Sequence, residues 1–276
     1  MSNSKSHPKQ YRTVLSIAGS DSGGGAGIQA DIKTISALGG FAMTAVTALT
    51  AQNTRGVTGI HPVPPEFAAA QIDAVLSDIG ADAVKIGMLY SAELIAAVAR
   101  ELTRHKAANI VVDPVMVAQS GDRLLQDEAV EALTAKLFPL ATVVTPNLPE
   151  AEVLLGRSIS GPQQMEAAAR ALAGFGSRSV LIKGGHGESE RSDDLLFLAE
   201  EGRMRWIEGR RIETQNTHGT GCTLSSAIAA GLATGEGIEA AVAKAKAYLT
   251  EAIRAGAGYR IGKGSGPVHH FHGFWG

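Results

Sequence analysis

Short apolar segments rich in β-branched residues recur along this chain, and each runs straight into a polar or glycine-rich turn. Thr13–Ala18 runs into Gly19 to Gly27, Ala83–Ile86 into Gly87–Met88, and Ile110–Val112 into Asp113–Pro114. Thr142–Thr145 runs into Pro146–Asn147, and Val180–Ile182 into Lys183–Gly184–Gly185–His186. Between these segments the apolar residues change to helical spacing: Ile28, Ile32, Ile35 and Leu38; then Ile72, Val75, Leu76 and Ile79; then Leu94, Val98 and Leu102. Residues Asp127–Phe138 and Pro162–Phe175 read as further helices, and a short one follows Leu148–Pro149–Glu150. Strands alternating with helices of about 10–15 residues require a mainly parallel sheet covered on both faces. Such sheets bind ligands outside the carboxyl ends of their strands. Asp21, Met88, Asp113, Asn147 and Lys183 all follow strand ends. Any one of them alone reads as a turn or cap residue; together they point to a shared cleft.

The remaining segments fill in this frame. Met43–Ala51 reads as a strand, followed by a polar loop at Gln52–Asn53–Thr54; Pro62, Pro64 and Pro65 break the chain before the next helix. After Gly187 the pattern changes. Leu195–Ala199 and Met204–Ile207 form a hairpin around a charged turn, and Arg211–Glu213 is a candidate for one more strand. Two helices close the chain, one over Thr223–Thr234 with a Leu224, Ile228 and Leu232 stripe, the other over about Gly237–Ala255. The tail from Gly264 to His272 is irregular, and its three histidines read as packed or solvated rather than metal-binding. Residues 1–10 are expected to be a disordered tail and residues 11–276 a single domain.

A chain of 276 residues, 45% of them hydrophobic, can bury the core this arrangement needs. Its net charge of −2 argues against a non-specific nucleic-acid or membrane binder. One cysteine excludes an intrachain disulfide and makes a structural zinc site improbable. The start is polar, without the apolar core of a signal peptide, and no run approaches the ~18 apolar residues of a spanning helix. A reducing cytoplasm is the expected setting.

The chemistry centres on Asn216–Thr217–His218–Gly219–Thr220–Gly221–Cys222. Its glycines let backbone approach a ligand, and the helix that follows gathers unpaired N–H groups at the positive end of its dipole, which suits an anion. Cys222 falls in the first turn, where the dipole favours thiolate; a small buried cysteine at a helix start is the plain alternative. The earlier turn, Gly19 to Gly27, lacks the Lys-Ser/Thr ending of a P-loop. Its Asp21–Ser22–Gly23–Gly24 resembles a serine-protease nucleophile loop, but an α/β pattern without disulfides argues against that chemistry. The parts suit phosphoryl transfer, which needs positioning and charge neutralisation more than covalent chemistry. Lys183 can neutralise a phosphate, the amides of Gly219 to Cys222 can hold charge on the transferred group, and Asp113 and Glu150 can hold Mg²⁺ through water. Asn147, Thr217 and Thr220 join Lys183, Gly219 and Gly221 on the nucleotide side. Cys222 is the one candidate base within the motif. Gln52 can read the edge of an aminopyrimidine ring, although a solvated loop glutamine has the same spacing.

These motifs, in this order, resemble the ribokinase superfamily and within it the hydroxymethylpyrimidine/phosphomethylpyrimidine kinases of thiamine biosynthesis. The resemblance is carried by Ala18–Gly19–Ser20–Asp21 through Gly27–Ile28–Gln29–Ala30–Asp31, Ala51–Gln52–Asn53–Thr54, Lys85–Ile86–Gly87–Met88 and Asp113–Pro114–Val115–Met116. It continues through Thr145 to Glu150, Lys183 to His186, Asn216 to Cys222 and the Gly266–Pro267–Val268–His269–His270 tail, spanning about residues 13–272. It implies a ribokinase-like three-layer αβα sandwich with a mainly parallel central sheet and a small β-hairpin extension. It also implies two successive ATP-dependent phosphorylations, of 4-amino-5-hydroxymethyl-2-methylpyrimidine and then of its monophosphate. Gln52 matches the residue that hydrogen-bonds the pyrimidine, and Gly19, Asp31, Met88 and Val115 match positions lining or supporting that pocket. Cys222 departs from the wider superfamily, where Asp commonly ends this motif, and agrees with the pyrimidine-kinase branch. As a base it would need the helix dipole and Lys183 to depress its pKa. The fusion to a thiamine-phosphate synthase domain common in the family is not expected here, and a homodimer is. Two other readings are a pyridoxal kinase of the same superfamily and a non-catalytic sensor of the pyrimidine; intact Lys183 and Cys222 argue against the sensor.

Overall fold

The computed structural model describes residues 10–116, 127–185 and 191–275, so the expected N-terminal tail (apart from Gln10), His186 and Gly187 lie outside the described residues. In chain order the elements are β1 (Thr13–Asp21), α1 (Gly27–Ala37), β2 (Phe41–Asn53), β3 (Gly56–Pro62), α2 (Pro65–Asp78), β4 (Ala83–Ile86), α3 (Ala92–Arg104) and β5 (Ile110–Val112). Then follow α4 (Asp127–Ala132), β6 (Val143–Val144), α5 (Leu148–Leu155), α6 (Gly161–Ala173), β7 (Ser179–Ile182), β8 (Asp194–Leu198), β9 (Arg203–Ile207), α7 (Thr220–Ala233) and α8 (Ile238–Gly256). The strands form one nine-stranded sheet in the order β3-β2-β1-β4-β5-β6-β7-β8-β9. From β2 to β7 every pairing is parallel, and β3, β8 and β9 are antiparallel additions at the two edges.

The period of two in each strand sorts its side chains between two cores. Leu15, Ile17, Val84, Ile86, Val112, Val144, Val180 and Ile182 pack against α2 to α6 on one face. Their neighbours Val14, Ala83, Val111, Val143 and Leu181 pack against α1, α7 and α8 on the other. Strands buried on both faces read as continuous apolar runs, which is how these appear in the sequence. The result is the expected three-layer αβα arrangement.

The order reverses at β1, which has β2 on one side and β4 on the other. A crevice therefore opens beyond the carboxyl ends of these strands, at the switch point of the sheet.

Four expectations need correction. Gln52 and Asn53 belong to β2 rather than to a loop, and Gly56–Pro62 adds a further strand. With two glycines and a terminal proline, and with a largely exposed face, β3 lacks the alternation that marks a strand. Arg211–Glu213 forms no strand; an isolated bridge between Arg191 and Arg210 precedes it, and the chain then turns into the cleft. The helix expected over Asp127–Phe138 is α-helical only to Ala132, then π-helical over Leu133–Leu137, with a 3₁₀ turn at Phe138–Leu140. Finally, α7 is buried far beyond its Leu224, Ile228 and Leu232 stripe, since Thr223, Ser225, Ser226, Ala227, Ala229 and Ala230 are buried as well.

That environment sets a stability contrast between two isoleucines in neighbouring helices. Ile228→Ala opens a cavity against a fully buried neighbourhood and is expected to cost about 2–5 kcal/mol. Ile32→Ala, at a position 39% exposed, is expected to cost about 0.5 kcal/mol. Urea unfolding of the two variants checks the difference.

Candidate active site

Two glycine-rich turns meet at the cleft. Gly219 caps the N-terminus of α7 with φ of 81°, and a Cβ there would lie 1.9 Å from the carbonyl oxygen of Gly25. A Cβ on Gly25 would in turn lie 2.4 Å from Cδ2 of His218. Only glycine satisfies both the left-handed backbone and the close approach. The first-turn amides of α7 have no carbonyl within the helix to bond, so this contact aims them at the cavity.

Asp21, at the end of β1, fastens the first turn. Its Oδ1 accepts from the amide of Gly23 at 2.7 Å, and its Oδ2 accepts from the amides of Gly25 (3.0 Å) and Ala26 (2.9 Å). His218 Nε2 lies 2.9 Å from the same Oδ2. Burial alone would raise the carboxyl's pKa, but His218 and the turn amides outweigh it and hold Asp21 below the usual carboxylate range. Asp21 thus fastens the turn and also lines the cavity. It was legible only as a strand-end residue, because its role depends on a histidine 197 positions away.

A cavity of about 730 Å³ opens between these turns and the strand ends. Gln52, Gly19, Met88 and Val115 are among the residues that line it. Gln52 Oε1 accepts from Thr50 Oγ1 at 3.0 Å, and its Nε2 stands 3.4 Å from His218 Nε2. Met88 packs where a Cβ on Gly19 would be, 2.9 Å from its methyl group. Asp31 does not line the cavity, contrary to a direct role in substrate binding. It is completely buried beneath the floor, where Lys85 Nζ lies 2.9 Å from each of its oxygens and Ser16 and Ser226 donate to it. Lys85, which the motif reading passed over as part of a strand, does line the cavity.

The expected phosphate and metal groups line the same cavity. Lys183 Nζ lies 2.8 Å from Asp113 Oδ1 and 3.8 Å from Glu150 Oε2. Thr145 and Ser225 also donate to Asp113. A Cβ on Gly221 would lie 3.4 Å from Asp113 Oδ2 and 3.5 Å from Lys183 Nζ, so the anion loop abuts this pair. Asn147 caps α5: its Oδ1 accepts from the Glu150 amide, while its own amide donates to Glu150 Oε2. Asn147, Thr217, Gly219, Thr220, Gly221 and Cys222 all line the cavity. Ile212, Leu224, Leu249 and Ile253 give it an apolar stretch, which spacing did not reveal.

The electrostatics divide the carboxylates. Burial opposes ionisation of Asp113, but Lys183 and Lys85 more than offset it, so its pKa is lowered. Glu150 is pushed up to about 7 by burial, against Lys183 and with Asp113 adding to the rise. The nearer carboxylate keeps its charge and the farther one titrates near neutrality. Lys183 is held charged, because Asp113 and Glu150 together outweigh burial. The thiolate expected at Cys222 is corrected: burial pushes the thiol up to about 11, and the cation opposing this most is Lys85 rather than Lys183. The histidine tail is packed: His270 meets Thr223 Oγ1 at 3.2 Å, and its backbone carbonyl accepts from the Tyr248 hydroxyl. Burial lowers the His270 pKa to about 4. Among the described residues, the group with metal-ligand spacing is Asp73, Glu101 and His105, but Arg104 pairs with both of its carboxylates.

Comparison with known proteins identifies the family. The phosphomethylpyrimidine kinase family model matches residues 21–269. A hydroxymethylpyrimidine/phosphomethylpyrimidine kinase of Rhizobium meliloti is 55% identical over 263 residues, covering 95% of this chain and 98% of that protein. The thiamine biosynthesis bifunctional protein ThiED of Geobacter sulfurreducens is 54% identical over 258 residues, covering 94% of this chain; the chain spans 52% of that relative's length. Among solved structures, an ADP complex of Bacillus subtilis pyridoxal kinase superposes with a TM-score of 0.87 at 36% identity, covering 95% of this chain and 98% of that one. The chain, matched by the family model over residues 21–269, belongs to the phosphomethylpyrimidine kinase family.

Proposed function

We propose that the cleft transfers the terminal phosphoryl group of ATP to the hydroxymethyl oxygen of 4-amino-5-hydroxymethyl-2-methylpyrimidine, and then phosphorylates the monophosphate to the diphosphate, in thiamine biosynthesis. One observation carries this reading: Gln52, Gly19, Met88 and Val115 share a single cavity with the α7 amides and Lys183. A ring held by the first set presents its alcohol to the second. The Gln52 amide supplies a donor and an acceptor to the ring edge. The amides of Gly221 and Cys222 take charge on the transferred group, and Lys183 shares its ammonium between Asp113 and a phosphate. Cys222, a thiol at rest, takes the hydroxyl proton only after losing its own. Asn147, Thr217 and Thr220 face the nucleotide. A homodimer working in the cytoplasm, with no nucleic-acid or membrane partner, belongs to the same reading.

The donor set fits Mg²⁺ held through water. Asp113 and Glu150 both line the cavity, both offer hard oxygen ligands, and Asp113 is held ionised. Bound there, the ion would supply further neutralisation of phosphate charge. The chain's own contribution is to keep the two carboxylates apart in protonation, with Lys183 between them.

Pyridoxal phosphorylation is the second reading, favoured by the close structural match to a pyridoxal kinase. ADP release with the pyrimidine and with its monophosphate, against pyridoxal, decides by kcat/KM; turnover of neither pyrimidine would overturn the first reading. Cys222→Ala is expected to lower kcat more than it weakens substrate binding, and Gln52→Ala to raise KM for the pyrimidine. Near-wild-type kinetics in both would contradict the assigned roles.

Glu150 gives a pH test without substrate. Its folded pKa of about 7 lies above the ordinary 4.5, so folding takes up a proton between those values and stability falls as pH rises through that window. Glu150→Gln keeps a side chain suited to the capping box but cannot titrate. In metal-free buffer its stability relative to wild type is expected to grow by on the order of 1 kcal/mol or more across that window and then level off. Thermal or urea unfolding as a function of pH measures it, and a difference independent of pH would refute the assignment.

A further inference from the structure

The side-chain amide of Gln52 has two orientations open to it, and its neighbours distinguish them. The backbone there is fixed: the Gln52 N–H donates to Ser22 Oγ at 2.9 Å, and that hydroxyl donates back to the Gln52 carbonyl at 2.9 Å. The side chain stands between two residues that also line the cavity, Thr50 on the same strand and His218 just before α7. Thr50 Oγ1 is 2.9 Å from the Ser20 carbonyl and 3.0 Å from Gln52 Oε1, yet its hydroxyl has a single proton to give. On the other side, His218 Nε2 is 2.9 Å from Asp21 Oδ2 and 3.4 Å from Gln52 Nε2. Asp21 is ionised and only accepts, so its partner assigns the proton to this ring nitrogen. N–H donors therefore face each other between His218 and Gln52. Turning the amide over about its last bond removes both conflicts. Nε2 then donates to Thr50 Oγ1, which gives its own proton to Ser20, and Oε1 faces the His218 N–H that serves Asp21.

We propose that Thr50 and His218 are positioning residues that hold the Gln52 amide with Nε2 toward Thr50 and Oε1 toward His218, and so select an aminopyrimidine over pyridoxal. This rests on the proposed function, with Gln52 against the ring edge. Either orientation leaves an N–H and a lone pair for the cavity, but in exchanged places. In the aminopyrimidine the 4-amino donor lies between the N3 acceptor and the carbon that bears the hydroxymethyl group. The amino group bonds Oε1 and N3 takes the N–H. The alcohol then falls on the His218 side, directly before the Gly219 to Cys222 amides. In pyridoxal an aldehyde oxygen, an acceptor, flanks the hydroxymethyl group, and the phenolic hydroxyl donor lies beyond it. The same pose sets acceptor against acceptor at Oε1. The opposite amide orientation suits pyridoxal and not the aminopyrimidine, so the two neighbours of Gln52 act by excluding the wrong ring as well as by holding the right one.

The orientation is measurable without substrate. In protein isotopically labelled at its glutamine side chains, Gln52→Glu identifies the Gln52 NH₂ signal by its loss. Through-space proton contacts from that NH₂ in the wild type are expected to be stronger to the Thr50 methyl group than to the His218 ring; the reverse would overturn the proposal. Thr50→Val keeps the shape but neither donates nor accepts. It is expected to lower kcat/KM for the pyrimidine about tenfold relative to that for pyridoxal, roughly the worth of one hydrogen bond. Where pyridoxal binds without turnover, the ratio of dissociation constants is read instead. Thr50→Ser retains the hydroxyl and is expected to keep the wild-type ratio. Equal losses on both rings in Thr50→Val, or a Thr50→Ser ratio shifted as far as that of Thr50→Val, would reduce Thr50 to a structural role and overturn the proposal. Absence of pyrimidine turnover by the wild type would overturn the functional reading instead, and the NMR contacts would still decide the amide's orientation.

Discussion

The contact between Gly219 and Gly25 is the constraint on which the rest of the cleft depends. Two backbones meet there at a distance that leaves no space for a single Cβ. Asp21 and His218 hold the turns in that contact, and the tail reinforces it where the His218 amide donates to the Gly266 carbonyl. If the turns separated, the α7 amides would lose their aim at the cavity and Gln52 would lose its neighbour. Positioning dominates phosphoryl transfer, so a displacement of this kind would be felt in rate before it was felt in fold.

Charge balance at the cavity floor follows from that packing. Two buried lysines face three carboxylates, and each lysine has a partner within 3 Å. Removing one member of such a pair typically costs about 3–5 kcal/mol, because the other is left uncompensated. The arrangement is therefore fixed in composition but adjustable in protonation. Asp113 and Asp31 sit tight against their lysines, while Glu150, farther from Lys183, is the group free to titrate near neutrality. A polyanionic ligand entering this cleft meets cations that are already held in place, so little reorganisation is needed to receive it.

How much of this the sequence disclosed depended on whether the governing signal was local. Buried parallel strands announce themselves as apolar runs, and the residues after them fell where the switch-point rule put them. Asp113, Asn147 and Lys183 line the cavity as strand-end positions should. What escaped was settled by distant partners. β3 is a strand because β2 pairs with it, despite a sequence rich in strand breakers. Asp31 is expected at the pocket because it matches a family position lining or supporting it, but its partners on β1, β4 and α7 draw it under the floor. Cys222 stands at a helix start, which favours thiolate. Only the folded surroundings show that burial wins, and that the opposing cation comes from β4.

The same division separates what this fold shares from what it varies. A pyridoxal kinase superposes at a TM-score of 0.87, so the layers and sheet do not choose between a pyrimidine and a pyridine alcohol. The groups assigned to the phosphoryl unit under the proposed function are backbone amides and a lysine, which recognise charge without regard to the acceptor ring. Under the proposed function, discrimination falls to Gly19, Gln52, Met88 and Val115, which line the cavity. A site built to hydrogen-bond its substrate rejects an analogue that leaves its buried polar group unpaired far more strongly than an apolar wall rejects a misfit. Under the proposed function, the Gln52 amide is therefore the group through which the two rings would be told apart, beside the close Met88–Gly19 approach.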